Sequence, residues 1–172
     1  MGIRLVEPTL KYEEQVLRCR DKLFEVDSGF EGCCGLDSTS SYADWLDTDN
    51  RLKKTYGKEY VPSVMYLAIR EEDDKVVGFL DYRTRLNEYL FKFGGNIGYL
   101  VMPEYRRMGY ATEMLNQALE ICKTKFKQSR VLVTCDKINI ASMHTIIKCG
   151  GIFENEVYEG NTLVHRYWID LN

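Results

Sequence analysis

Tyr99-Leu100-Val101-Met102-Pro103-Glu104-Tyr105-Arg106-Arg107-Met108-Gly109-Tyr110-Ala111-Thr112 reads as a buried strand that runs into a turn, with a helix opening from the turn. Pro103 stops the strand, and Gly109 with the small Ala111 lets the backbone come close to a ligand. The first backbone N–H groups of a helix have no partner within it and carry partial positive charge, which suits a phosphate. Arg106 and Arg107 add charge beside them. The plainer reading of the same residues is a strand-to-helix connection whose glycine serves only the turn angle. Neither Gly-x-Gly-x-x-Gly nor Gly-x-x-x-x-Gly-Lys-Ser/Thr occurs, which weakens dinucleotide and P-loop readings.

Outward from this turn, the pattern predicts a mixed α/β chain. Met114, Leu115, Ala118, Leu119, Cys122 and Phe126 keep helical spacing and predict a helix over 110–125. Upstream lie strands at 3–6, 64–69, 76–83 and 96–101, the middle two joined by the charged turn 71–75 into an antiparallel hairpin. Thr9 is placed to cap a helix over 10–26 with Val16, Leu17, Leu23 and Phe24 in its buried stripe. A glycine-bearing loop follows to residue 40, and a second helix runs from 40–41 to Tyr56, closed by Gly57. Downstream come a strand at 131–135, a helix capped by Asn139 and ending at Cys149 before Gly150-Gly151, and strands at 152–158 and 163–169. No repeat or linker interrupts the chain, so one domain over 1–172 is the simplest organisation.

Composition narrows the function. With 172 residues, 45% of them hydrophobic, the chain can build a core without staples. A net charge of −3 and no basic stripe point away from a nucleic-acid partner. None of the six cysteines sits in a Cys-x-x-Cys pair, and His144 and His165 are the only histidines, so no metal site is expected. No apolar leader or run of about 18 apolar residues suggests a membrane partner. The expectation is a reduced, cytoplasmic protein whose cysteines act as small core residues.

The segment Arg106-Arg107-Met108-Gly109-Tyr110-Ala111 resembles the signature Arg/Gln-x-x-Gly-x-Gly/Ala of the GNAT N-acetyltransferases. It follows the fourth strand, as in that family. Asn139-Ile140-Ala141-Ser142 with Gly150 is similar to the family's second block, and the element order matches over nearly the whole chain. Asp136-Lys137-x-Asn139 and Arg166-Tyr167-Trp168-Ile169 look like a bacterial subgroup of predicted acetyltransferases. The resemblance implies a mostly antiparallel mixed sheet with flanking helices, strands four and five being parallel and splayed. It implies acetyl-CoA as co-substrate, with its pyrophosphate on the backbone N–H groups of Arg107, Met108, Gly109, Tyr110, Ala111 and Thr112. Leu100, Val101 and Met102 would lie beside the pantetheine arm, and Asn139 and Ser142 would bond near the thioester. A homodimer is common in the family.

Here the sequence departs from its relatives. Many members carry a tyrosine seven residues after the helix-starting asparagine, which protonates the leaving thiolate; the position here is Ile146. Tyr99, Cys135 and His144 are the substitutes within reach, with Tyr99 favoured, and core or surface packing is the plainer role for each. The acceptor would be a primary amine on a small molecule or peptide. Residues 23–50 hold no lysine or arginine but seven carboxylates, Glu25, Asp27, Glu31, Asp37, Asp44, Asp47 and Asp49. Such a segment attracts a cationic amine, or is simply a solvated acidic loop with capping aspartates. A CoA-binding sensor without turnover and an interaction domain without cofactor are the competing readings.

Overall fold

The structure, a computed structural model, describes residues 2–54 and 61–172. Its elements follow the expected order: β1 (Ile3–Val6), α1 (Glu13–Glu25), α2 (Tyr42–Leu52), β2 (Ser63–Arg70), β3 (Lys75–Arg83), β4 (Ile97–Val101), α3 (Tyr110–Thr124), β5 (Arg130–Asp136), α4 (Ile140–Lys148), β6 (Ile152–Glu159) and β7 (Thr162–Asp170). The strands form two sheets, β1-β2-β3-β4 and β5-β7-β6, and every ladder within them is antiparallel.

Period-two alternation gives the first sheet two covered faces. Leu67, Phe79, Leu100 and Met102 pack under α1 and α2 with Val16, Leu23, Tyr42 and Trp45. Leu80, Tyr82, Ile97 and Val101 point the other way, against Met114, Leu115 and Ala118 of α3 and Ile146 of α4. The second sheet joins this second core through Val131, Val133 and Tyr167. Trp45 and Tyr42, both 1% exposed, are core residues. Their polar ends are satisfied, Trp45 Nε1 donating to Cys33 O at 2.9 Å and the Tyr42 hydroxyl to Thr9 O at 2.6 Å.

The two sheets meet at one point. Asn96 N–H donates to Leu132 O at 2.7 Å, and Asn96 Oδ1 accepts from Leu132 N–H at 2.8 Å. Gly95, at φ 65°, makes the approach feasible, because a Cβ there would stand 2.6 Å from Leu132 O. Beyond Asn96 no ladder joins β4 to β5 among the described residues, so the expected splay is a fork with Asn96 at its apex. With no ladder between them, no register defines β4 and β5 as a parallel pair.

Some local expectations shift. Thr9 is extended but makes no side-chain cap, and the first turn is a 3-10 piece, Leu10–Tyr12. Tyr12 is held by its hydroxyl, 3.2 Å from Asp74 in the β2–β3 turn, which tightens that turn. Phe24 is 55% exposed because it lies one residue, about 100°, round the helix from Leu23; it packs on Phe30 instead. α2 ends at Leu52, and the predicted stop at Tyr56 and Gly57 lies outside the described residues. A π-helical turn, Leu90–Gly94, fills the stretch before β4 that the sequence pattern left unassigned. No helix among the described residues is long and apolar enough to cross a membrane.

Candidate active site

The turn after β4 adopts the geometry its residues predict. A 3-10 piece, Pro103–Tyr105, leads to Arg107 at φ 66° and Gly109 at φ 86°, both left-handed. The first backbone bond of α3 runs from Glu113 N–H to Gly109 O at 3.2 Å, so the N–H groups of Tyr110, Ala111 and Thr112 have no acceptor inside the helix. A Cβ built on Gly109 would meet nothing within 4 Å, which leaves open space over these donors. Arg107 and Met108 are exposed at its rim. Free donors under open space, as in this cradle, are what a phosphate group requires.

Arg106 has a different part from the one expected. Its Nε donates to Val101 O at 3.1 Å and its Nη2 to Ser28 Oγ at 3.1 Å. It braces the turn against the end of β4 and the loop after α1, rather than reaching freely for an anion.

Along β4, Leu100 and Met102 are buried toward α1 and α2, while Tyr99 leans to the other face. Met102 N–H is bound to Val77 O on β3 at 2.9 Å. By the alternation of an antiparallel ladder, the polar groups of Val101 then face the fork. The Val101 N–H thus points into the fork, away from β3.

Tyr99 crosses the fork. Its hydroxyl lies 2.8 Å from Ser142 Oγ in the first turn of α4. Burial pushes the phenol up to about 12, against the help of Ser142, so it keeps its proton at neutral pH. Ile146, at the family's tyrosine position, is fully buried under Gly151 and faces the core, not the fork. His144 is exposed on another side of α4. Cys135 is near the same place, adjacent to Ser142, but burial pushes its thiol up to about 11. It is a poor nucleophile at neutral pH. Asn139 caps α4, its Oδ1 accepting from Ser142 N–H at 3.1 Å, so the capping role foreseen for it is filled.

The acidic loop lies over this site. Gly32 rests on β4, where a Cβ would stand 2.7 Å from Gly98 O and 2.8 Å from Tyr99 Cα. Together with the Arg106–Ser28 bond, this stretches the loop from the cradle to the fork. Of the seven carboxylates in residues 23–50, four have local partners: Glu25 with Lys22, Asp44 with Ser40, Asp47 with Arg51, and Asp49 with Lys53 and Met65 N–H. Asp27, Glu31 and Asp37 are exposed and make no ion pair among the described residues. The loop's junction with β4 was not legible in the sequence, although its three glycines were the available signal. Among the described residues no group of three or more His, Cys, Asp or Glu could hold a metal.

Comparison with known proteins agrees with this geometry. A Bacillus subtilis (strain 168) protein named uncharacterized N-acetyltransferase YnaD is 26% identical over 104 residues, 58% of this chain. The chain spans 59% of that relative's length. The microcin C7 self-immunity acetyltransferase MccE, solved with acetyl-CoA and AMP, superposes with a TM-score of 0.72 at 16% identity, covering 98% of this chain and 92% of its own. A dodecameric spermidine N-acetyltransferase from Vibrio cholerae gives 0.66 at 13% identity, covering 99% and 93%. Both structures share the fold. Residues 38–152 match the profile of the acetyltransferase (GNAT) domain, and the chain belongs to that family.

Proposed function

We propose that the chain is a single-domain, acetyl-CoA-dependent N-acetyltransferase that moves the acetyl group directly to a primary amine. The observation that carries this reading is the Gly109 cradle, opening onto a fork that Tyr99 and Ser142 close. The cradle's backbone N–H groups, from Arg107 to Thr112, would hold the pyrophosphate, and Leu100 to Met102 would flank the pantetheine arm. Acetyl-CoA supplies an acyl group already activated as a thioester. The Val101 N–H stabilises charge on the thioester oxygen, and the Tyr99 hydroxyl gives its proton to the leaving sulfur. Cys135 stays protonated, which favours direct transfer over an acyl-cysteine route.

Asp27, Glu31 and Asp37 favour a cationic acceptor, and a polyamine such as the spermidine of the Vibrio cholerae relative is the first to try. A lysine-like amine with a pKa of about 10.4 needs about 4.6 kcal/mol to deprotonate at pH 7, so the acceptor side must supply a base. We place the protein in the cytoplasm, where thiols stay reduced. Self-association, as a homodimer, is proposed through the edge strand β6, where Ile152, Phe153 and Tyr158 are 65%, 51% and 70% exposed.

The test is thermal unfolding with acetyl-CoA, followed by thiol release with an amine panel. A ligand at a hundredfold excess over its Kd adds about 2.7 kcal/mol, roughly 5–10 °C here. No rise in the folded protein would sink this reading. A rise without turnover on any amine would favour the sensor, to which the loss of the usual tyrosine at Ile146 points.

A further inference from the structure

One residue along the ladder from Tyr99, on the opposite face of the sheet, lies a buried carboxyl with one oxygen unused. Asp81 on β3 is 6% exposed. Its Oδ2 accepts from Arg83 Nε at 2.9 Å, while Oδ1 is buried with no hydrogen-bond partner. Arg83 Nη1 is engaged elsewhere, donating to Gly94 O at 2.9 Å and Gly95 O at 3.3 Å. A buried polar atom left unpaired in this way calls for an explanation.

The position of Asp81 suggests one. Its partner in the β3–β4 ladder is Gly98, the residue before Tyr99. With Phe79 it points to the α1–α2 face, under the loop that carries Glu31 and Asp37. Gly98 adds no side chain, and a Cβ there would meet Arg83 Nη2 at 3.1 Å and Gly32 N at 3.3 Å. If the cradle marks the phosphate end of the cofactor and Tyr99 the reacting end, Gly98 is one residue beyond the reacting end, away from the cradle.

We propose that Asp81 Oδ1 binds the ammonium of the acceptor and takes its proton before transfer. This rests on the acetyltransferase reading above. The ammonium gives one proton to the Asp81 carboxylate. The freed nitrogen lone pair forms the bond to the acyl carbon, and the carbon–sulfur pair leaves with sulfur. The second proton on nitrogen passes to solvent water while sulfur gains one from the Tyr99 hydroxyl; solvent then takes the proton from Asp81 and returns one to the Tyr99 phenolate. Asp81 is buried beneath the loop that packs Gly32 on β4, so an amine reaches Oδ1 only when that loop opens.

The surroundings of Asp81 suit a base. Facing it are Arg83 on its own strand, Ser63 on β2, Cys34 in the loop and Asp49 on α2, the last paired with Lys53 at 2.8 Å. Burial pushes the carboxyl up and Asp49 adds to this, while Arg83 and the nearby Ser63 hydroxyl oppose it. The net direction is toward the neutral range where a base can exchange protons.

The experiment follows the Asp81 side-chain carboxyl by carbon NMR in the wild-type protein with bound CoA, as spermidine, butylamine or an alanyl peptide is added. The signal is expected to titrate above the ordinary carboxylate range and to shift when an amine binds, with Glu31 moving less. An Asp81 signal indifferent to every amine, in protein that acetyl-CoA stabilises, overturns the proposal and leaves the acetyltransferase reading standing. Asp81→Asn keeps the shape and the bond to Arg83. It should lose about 100-fold in kcat/KM for the amine at pH 7, regain part of it by pH 9, and keep its thermal shift with acetyl-CoA. A deficit that does not shrink as pH rises marks a structural role and also overturns the proposal.

Discussion

Asn96 and Leu132 exchange two hydrogen bonds, backbone N–H to O at 2.7 Å and Leu132 N–H to the Asn96 side chain at 2.8 Å, and this exchange fixes the apex of the fork. Asn96 is 4% exposed, and its Nδ2 also donates to Arg83 O at 3.0 Å, so one side chain ties β3, β4 and β5 together. Asn96→Ala would leave two buried backbone groups unpaired, at roughly 1–3 kcal/mol each. The expected loss of about 2–4 kcal/mol lowers Tm by roughly 5–15 °C. Thermal unfolding checks it, and a loss below about 1 kcal/mol would mean that the apex does not need this tie.

Gly109 offers a sharper test of the cradle. At φ 86° any side chain is strained, by roughly 1–2 kcal/mol, though asparagine tolerates this region better than most residues. The space above Gly109 is open, so strain and lost binding can be separated. Gly109→Glu places a carboxylate where a phosphate would sit and should abolish the acetyl-CoA thermal shift. Gly109→Asn should keep most of that shift with only a small fall in the Tm of the free protein. Equal loss of the shift in both variants would mean that backbone strain, not anion exclusion, is responsible.

Tyr99→Phe removes the proton donor and keeps the ring. The expected result is a fall in kcat of about 100-fold, the lower end for a general acid, with KM for acetyl-CoA little changed. The pH profile adds a second check. Because the phenol is pushed up to about 12, it stays protonated below about pH 11, so wild-type activity should show no loss from this group between pH 7 and 10. An alkaline limb centred near 8 would assign the acid to another residue.

The fold was legible where periodicity and punctuation agreed. The stripe of Met114, Leu115, Ala118 and Cys122 gave α3, and Asn139 with Gly150 gave both ends of α4. The π-helical turn Leu90–Gly94 was not legible, because it is held by tertiary bonds that leave no local period: Arg166 on Phe91 O and Thr134 on Phe93 O. The turn that opens α3 could be read from its glycine and from the family resemblance. The brace formed by Arg106 could not, since an arginine beside an anion site suggests a ligand until its partners, Val101 O and Ser28, are seen. Asp81 carried no sequence signal at all. In the pattern it is one polar residue in a strand, and only the ladder puts it opposite Gly98.

The thiols give a prediction about stability that is independent of function. Burial pushes Cys19, Cys34 and Cys122 up to about 12 and Cys135 up to about 11, from an ordinary 9.0. The phenols of Tyr42, Tyr66 and Tyr99 rise to about 12 from 10.0 for the same reason. In the unfolded chain these groups lose their protons as pH passes 9 and then 10, while the folded chain still holds them. Between pH 9 and about 12 the unfolded state therefore binds fewer protons, and stability falls as pH rises. Below pH 9 both states are protonated at these groups, and their contribution is constant. Urea midpoints in reducing buffer should owe no change to them between pH 7 and 8, then decline steadily at pH 9.5 and 10.5. Cys34→Ala should make that decline shallower, because it removes one of the shifted thiols. A midpoint level up to pH 10.5 would show that these thiols reach water in the folded protein, which would contradict the packing of Cys34 and Gly32 against the first sheet.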